Sequence, residues 1–90
     1  MKFEWDPDKA LVNLRKHRVS FDEAITVFGD PLALSFNDPD HSDQERRFLT
    51  FGESARKRLL VVSHTFRQGR TRIISARRAD RGERRIYKNG

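Results

Sequence analysis

Apolar residues recur every three to four positions over the first third of the chain and every second position beyond it, with the change of period at Gly29-Asp30-Pro31. Asp6-Pro7 opens the first helix: the aspartate oxygen accepts from unpaired amides, and a proline in the first helical position has no needed N–H to lose. The helix is predicted over residues 7–17, with Ala10, Leu11, Leu14 and His17 on one face and Lys9, Asn13 and Lys16 pointing elsewhere. Lys16 and His17 at its end offset the negative pole of the helix dipole. Ser20-Phe-Asp-Glu23 has the form of a capping box, so a second helix is predicted over residues 21–28, burying Phe21, Ala24, Ile25 and Phe28. Gly29 and Pro31 end it.

Four strands are predicted after the change of period, at residues 32–36, 47–51, 57–66 and 71–76. An acidic loop from Asn37 to Asp43 joins the first two, and Arg67-Gln-Gly-Arg70 joins the last two in a tight hairpin. A two- or four-residue loop sets Thr65 opposite Arg72, a three-residue bulged loop sets His64 opposite Arg72, and the pattern does not choose between them. While the strand stays regular, Arg72 and Arg77 fall on opposite faces. A final helix over residues 78–88 places Ala79, Glu83 and Ile86 on one face, although Gly82 within it costs about 1 kcal/mol relative to alanine. Phe3-Glu-Trp5 is a short alternating segment ahead of the first helix. Together these elements predict one α+β domain over residues 1–90, with two N-terminal helices, an antiparallel sheet of about four strands and a C-terminal helix.

Charge divides this domain unevenly. Residues 1–45 carry 5 Lys/Arg against 10 Asp/Glu, a net of −5, and residues 46–90 carry 14 against 3, a net of +11. The excess is greatest from Arg70 to Lys88 and consists mostly of arginine, whose planar fork of donors matches phosphate and carboxylate oxygens. Cysteine is absent, which excludes a disulfide framework, a thiolate zinc site and a cysteine nucleophile. The longest apolar run, residues 59–62, is far short of the ~20 residues that span a bilayer, and no signal-type run opens the chain, so a cytoplasmic location is expected.

Several residues could carry chemistry. His64 lies in an apolar strand and titrates ordinarily near neutral pH, so it is a candidate for proton transfer; a half-buried histidine satisfied by a backbone carbonyl is the structural alternative. Arg72 and Arg77 could hold a scissile phosphate and stabilise the charge that builds on it, or could be solvated or ion-paired strand residues. Glu83 and Tyr87, four apart on the last helix, supply a carboxylate able to take a proton from a ribose hydroxyl and a phenol able to meet phosphate or a base. Their structural alternatives are pairing of Glu83 with Arg84 or Lys88 and closure of the core by Tyr87. Arg70, Arg78, Arg81, Arg84, Arg85 and Lys88 are candidates for binding RNA backbone. No metal site is expected: the histidines at 17, 41 and 64 have no paired helical spacing, and the Asp38–Asp43 loop lacks the glycine and final glutamate of an EF-hand. A glycine-rich phosphate loop and a Gly-x-Ser-x-Gly elbow are also missing.

The segments Phe3-Glu-Trp-Asp-Pro7, Asn13-Leu-Arg-Lys-His17, Val19-Ser-Phe-Asp-Glu-Ala24, Val27-Phe-Gly-Asp-Pro31 and Arg72-Ile-Ile-Ser-Ala-Arg77, followed by Glu83, Arg84 and Tyr87, together resemble BrnT-type toxins of bacterial type II toxin-antitoxin systems over nearly the whole chain. Arg18 departs from the pattern, standing where the family commonly has glycine, which leaves the end of the first helix open. The resemblance implies a RelE-like fold and an endoribonuclease that arrests growth by cleaving RNA without a metal or other cofactor. It also implies a cognate BrnA-like antitoxin with a ribbon-helix-helix part, in an assembly of which a heterotetramer is one form, and contact with DNA only through that antitoxin. The competing expectation is a non-catalytic module that binds nucleic acid or an acidic partner through the same arginines.

Overall fold

The computed structural model describes residues 1–41 and 45–90. The first helix, α1, spans Pro7–His17 as predicted, with the Asp6 side chain accepting from the Asp8 amide. It ends at Arg18, whose backbone is left-handed at φ 60° while its N–H bonds to Leu14 O. An arginine thus adopts the conformation that costs glycine least. Helix α2, Phe21–Ile25, begins at the Ser20 cap and tightens into a 3-10 turn over Thr26–Gly29. Three residues per turn bring Val27 beneath Ala24, so Val27 is fully buried where Ile25 and Phe28 are only partly so.

Five strands form one sheet in the order β1-β5-β4-β3-β2: β1 Phe3–Glu4, β2 Leu34–Asn37, β3 Arg47–Glu53, β4 Leu59–Arg67 and β5 Arg70–Arg78. The predicted antiparallel sheet of about four strands is therefore corrected to a mixed sheet of five. The alternating Phe3-Glu-Trp5 segment supplies the extra strand, which lies parallel to β5 with Phe3 opposite Thr71 and Glu4 opposite Arg72. Two residues are too few to show a strand pattern without their partner. Part of the predicted acidic loop, Ser42 and Asp43, lies outside the described residues, and Pro39–His41 within it form a 3-10 turn.

Helices α1 and α2 cover one face of the sheet over a core of Val19, Phe21, Ala24, Val27, Leu60, Val62, Ile73 and Ala76. Helix α3, Arg81–Asn89, covers part of the other face, where Ala79 and Tyr87 pack with Phe51, Leu59 and Val61. It starts three residues later than predicted because Arg78 completes β5 and Asp80 caps the helix in a reciprocal box with Glu83. Gly82 consequently falls in the first turn and not mid-helix.

α1 meets the sheet differently from its apolar pattern. Leu11 and Leu14 stay about half exposed, and Asn13, predicted to point away, is buried. Its amide donates to Val19 O at 2.9 Å and Ala76 O at 2.8 Å and accepts from Ala76 N at 3.1 Å. β1 ends before Ala76, so Asn13 completes the hydrogen bonds of the β5 edge in place of a strand. Among the described residues no helix is long and apolar enough to cross a membrane.

Candidate nucleic-acid interface

The β4–β5 hairpin decides which arginines share a face. Its two-residue loop has Gln68 and Gly69 both at positive φ, 52° and 77°, which is the geometry that matches strand twist. Thr65 accordingly pairs with Arg72, the register of the shorter predicted loop. Farther along, His64 pairs with Ile73 and Ser63 with Ser75, so Ile74 has no cross-strand partner and forms a bulge. One extra residue inverts the alternation. Arg72 opposite Thr65 and Arg77 opposite Val61 therefore lie on one face, the face that carries α3, contrary to the expectation for a regular strand.

Arg77 points at α3. Its Nη1 and Nη2 donate to the two oxygens of Glu83 at 2.7 and 2.8 Å. The Arg77 bonds lead the causes that hold the Glu83 carboxyl below its ordinary range, outweighing its partial burial. Glu83 is thus paired with a strand arginine, not with Arg84 or Lys88. At the other end of the strand Arg72 donates to Glu4 at 2.9 Å, with Arg70 3.9 Å from the same carboxylate. At roughly 3.3 Å per residue the two arginines stand about 15 Å apart, too far for one phosphate to meet both.

Tyr87 projects beside Glu83 but donates its hydroxyl to Asp30 at 2.6 Å. That bond, with desolvation, raises the phenol to about 12. Burial acts to raise the Asp30 carboxyl, yet bonds from the Glu53 amide, Tyr87 and the Leu32 amide outweigh it and hold Asp30 low. Tyr87 therefore ties α3 to the turn after α2, a partner its sequence position did not suggest.

His64 is the candidate that the structure separates from the rest. It alternates with Leu60 and Val62, so it faces the α1/α2 side, 2% exposed, with its Nε2 2.7 Å from Thr50 Oγ1. The rings of Phe28, Phe48 and Phe66 surround it at 4.9 to 5.8 Å. Burial lowers its pKa to about 4. The sheet stands between His64 and Arg77, and the alternation that made His64 notable is what carries it away from them.

The expected backbone-binding residues also divide. Arg70 belongs to the Arg72 end of the open face, whereas Arg78, opposite Leu60, emerges on the helical side. Arg81, Arg84, Arg85 and Lys88 are exposed on α3. Two strand cations not anticipated in this role complete the open face: Arg47, opposite Thr65, and Arg67, opposite Arg70. Arg47 keeps the parity of Leu49 and Phe51, a signal available once β3 is placed on β4. Phe36 lies on the same face, 43% exposed and tilted against Phe51 at 5.2 Å. Among the described residues no group of three or more His, Cys, Asp or Glu side chains gathers in a metal-binding arrangement.

The site is thus an arginine-lined sheet face, each of its strand arginines within 4 Å of a carboxylate of Glu4, Glu45 or Glu83, walled at one end by a helix in a small α+β fold. Residues 5–83 match the family model of the ribonuclease toxin BrnT of type II toxin-antitoxin systems, and the chain belongs to that family. Its fold is similar to the crystal structure of the Brucella abortus ribonuclease toxin BrnT, with a TM-score of 0.70 and 23% sequence identity over 90% of this chain and 99% of that one. No curated protein matches it significantly by sequence.

Proposed function

We propose that the chain is a metal-independent endoribonuclease that cleaves RNA on the open face of the sheet and is neutralised by an antitoxin covering that face. The observation that carries the reading is the bulge at Ile74, which turns Arg72 and Arg77 toward α3 and sets Arg77 on Glu83. RNA lies along β5, with Arg72 and Arg70 on one stretch of backbone and Arg77 on the scissile phosphate. A phosphate competes with Glu83 for the Arg77 guanidinium. As the pair loosens, the carboxylate loses the partner that lowers its pKa and becomes a better base. Glu83 then takes the ribose 2′-hydroxyl proton, the 2′-oxygen attacks phosphorus, and the 5′-oxygen leaves with a proton from water. Arg77 stabilises the charge on the phosphoryl oxygens in between.

The same surface suits the antitoxin of this reading. An acidic segment with an apolar anchor would pair with Arg47, Arg67 and Arg72 and cover Phe36; a BrnA-like ribbon-helix-helix protein, in a heterotetramer and with DNA bound only through it, is the form this reading takes. Incubation of the purified protein with total RNA and a chelator tests the activity: fragments ending in 2′,3′-cyclic phosphate are expected. RNA left intact until a divalent metal is added refutes metal independence. Binding without cleavage under every condition favours the non-catalytic module.

A further inference from the structure

α3 carries a second cationic surface that faces away from the first. At about 100° per residue, Arg84, Lys88, Arg81 and Arg85 fall within an arc of about 100°, opposite Glu83 and Tyr87, and span about 10 Å of helix. All four are exposed, and none makes an ion pair with a described residue. Lys88, in the last turn, suits the helix dipole, but helix stability does not account for the three arginines. Arg81 with Arg85 and Arg84 with Lys88 are like-charge pairs four apart, each unfavourable by a few tenths of a kcal/mol. Arg81 and Arg84 also sit in the first turns, where the helix dipole disfavours positive charge. The three arginines thus stand against the preference of their own helix.

We infer that the outer face of α3 is a docking track for RNA backbone outside the cleaved nucleotides, separate from the strand arginines. This rests on the reading of the chain as an RNA-cleaving enzyme. Phosphate is favoured over a protein partner because the stripe has one apolar neighbour, the half-exposed Ile86, and lacks the apolar core on which protein interfaces are built. RNA that passes the open face and rounds the end of α3 meets Arg81, Arg84, Arg85 and Lys88 in sequence. The track adds affinity for longer RNA without touching the scissile phosphate.

The test is the salt dependence of binding to uncleavable 2′-O-methyl RNAs of about 4 and about 16 nucleotides, a range that brackets single-strand sites on small folds. In a variant with Arg81→Gln, Arg84→Gln, Arg85→Gln and Lys88→Gln, substitutions that keep helix propensity, the slope of log K against log salt for the longer RNA should fall by roughly 3, at about 0.7 per phosphate contact. The wild-type preference for the longer RNA should fall at least tenfold. Lys9→Gln with Lys16→Gln, the same kind of change on α1, should leave the slope as it was. A slope within 1 unit of wild type in the α3 variant overturns the track, and if that variant loses affinity for a poly-glutamate peptide instead, the stripe belongs to a protein partner. Wild-type protein that shows the α3-dependent slope yet cleaves no natural RNA refutes the proposed activity and leaves the track standing.

Discussion

Arg77 and Glu83 meet as a bidentate pair, with both carboxylate oxygens within 2.8 Å of the guanidinium. The same carboxylate accepts the Asp80 amide at 2.9 Å and so caps α3. One side chain fixes where the helix begins and where the last strand's arginine points. Whatever draws Arg77 away from Glu83 is therefore felt at the start of α3.

Arg77→Ala should lower single-turnover cleavage by about 10²- to 10³-fold, the usual loss when one preorganised donor to a transition-state oxyanion is removed. Arg77→Lys should recover only part of this, since an ammonium cannot reproduce the fork. Glu83→Gln is the sharper variant: glutamine keeps the capping box and the fold but cannot accept the proton. A large drop in cleavage is expected in a protein that still folds, with a melting temperature lowered by the loss of the charged pair with Arg77. Wild-type cleavage by Glu83→Gln would reduce Glu83 to a positioning residue.

His64 should affect stability and leave cleavage alone. It is neutral in the fold, with a pKa near 4, and ordinary, near 6.5, once unfolded. Between these values the unfolded chain binds the extra proton, so stability falls as pH drops from about 6.5 to 4, by up to about 3 kcal/mol. Thermal melts across pH 4.5–7.5 should show this slope in the wild type and a flatter profile in His64→Gln. The carboxylates Glu23, Glu83 and Asp30, all held low, lose their contribution at lower pH, below their ordinary values of 4.5, 4.5 and 3.8. A folded His64→Gln protein without cleavage activity would return the histidine to the site.

Asn13 offers a test of the β5 edge. It is the partner of the Ala76 N–H and of two carbonyls, so Asn13→Ala leaves buried backbone groups unpaired at about 1–3 kcal/mol each before any relaxation. Asn13→Asp should be no milder, because a carboxylate cannot donate to Val19 O or Ala76 O. Urea midpoints for both variants check this. An aspartate variant as stable as wild type would mean that the edge does not need the amide.

The parts of this fold that were legible in the sequence are those set by local chemistry. Asp6-Pro7 and Ser20 fix helix starts through side-chain caps, although Glu23 turns to Arg58 and Ser54 and leaves the expected capping box half made. Gly69 marks a hairpin through positive φ, while its register stayed open. What escaped depends on a partner distant in sequence. Phe3–Glu4 is a strand because Thr71 and Arg72 lie beside it, Asn13 is buried because β1 ends short of Ala76, and the bulge at Ile74 appears only when β5 is laid on β4. The site shares that division. Arg72, Arg77 and Glu83 could be picked out by residue type, but their common face required the bulge, and the removal of His64 to the far face required the sheet.

The connection between α2 and the β3–β4 turn supplies the last prediction. Glu23, 6% exposed, accepts from Arg58 Nε at 2.9 Å, contacts its Nη2 through the other oxygen, and takes the Ser54 hydroxyl at 2.7 Å. Arg58 also donates to Arg18 O at 3.0 Å, so the pair clamps the left-handed end of α1 as well. Glu23→Ala strands the Arg58 charge in a site with little water and should cost about 3–5 kcal/mol, and Arg58→Ala, which leaves Glu23 with only Arg56 at 3.7 Å, should cost somewhat less. The desolvation that the pair itself bears makes its net worth much smaller, so Glu23→Leu combined with Arg58→Leu should be markedly more stable than either alanine variant. A double-mutant cycle in urea reads this directly: single losses far above the loss in the apolar double variant are expected, whereas equal losses in all three would show that the ion pair is not buried in solution.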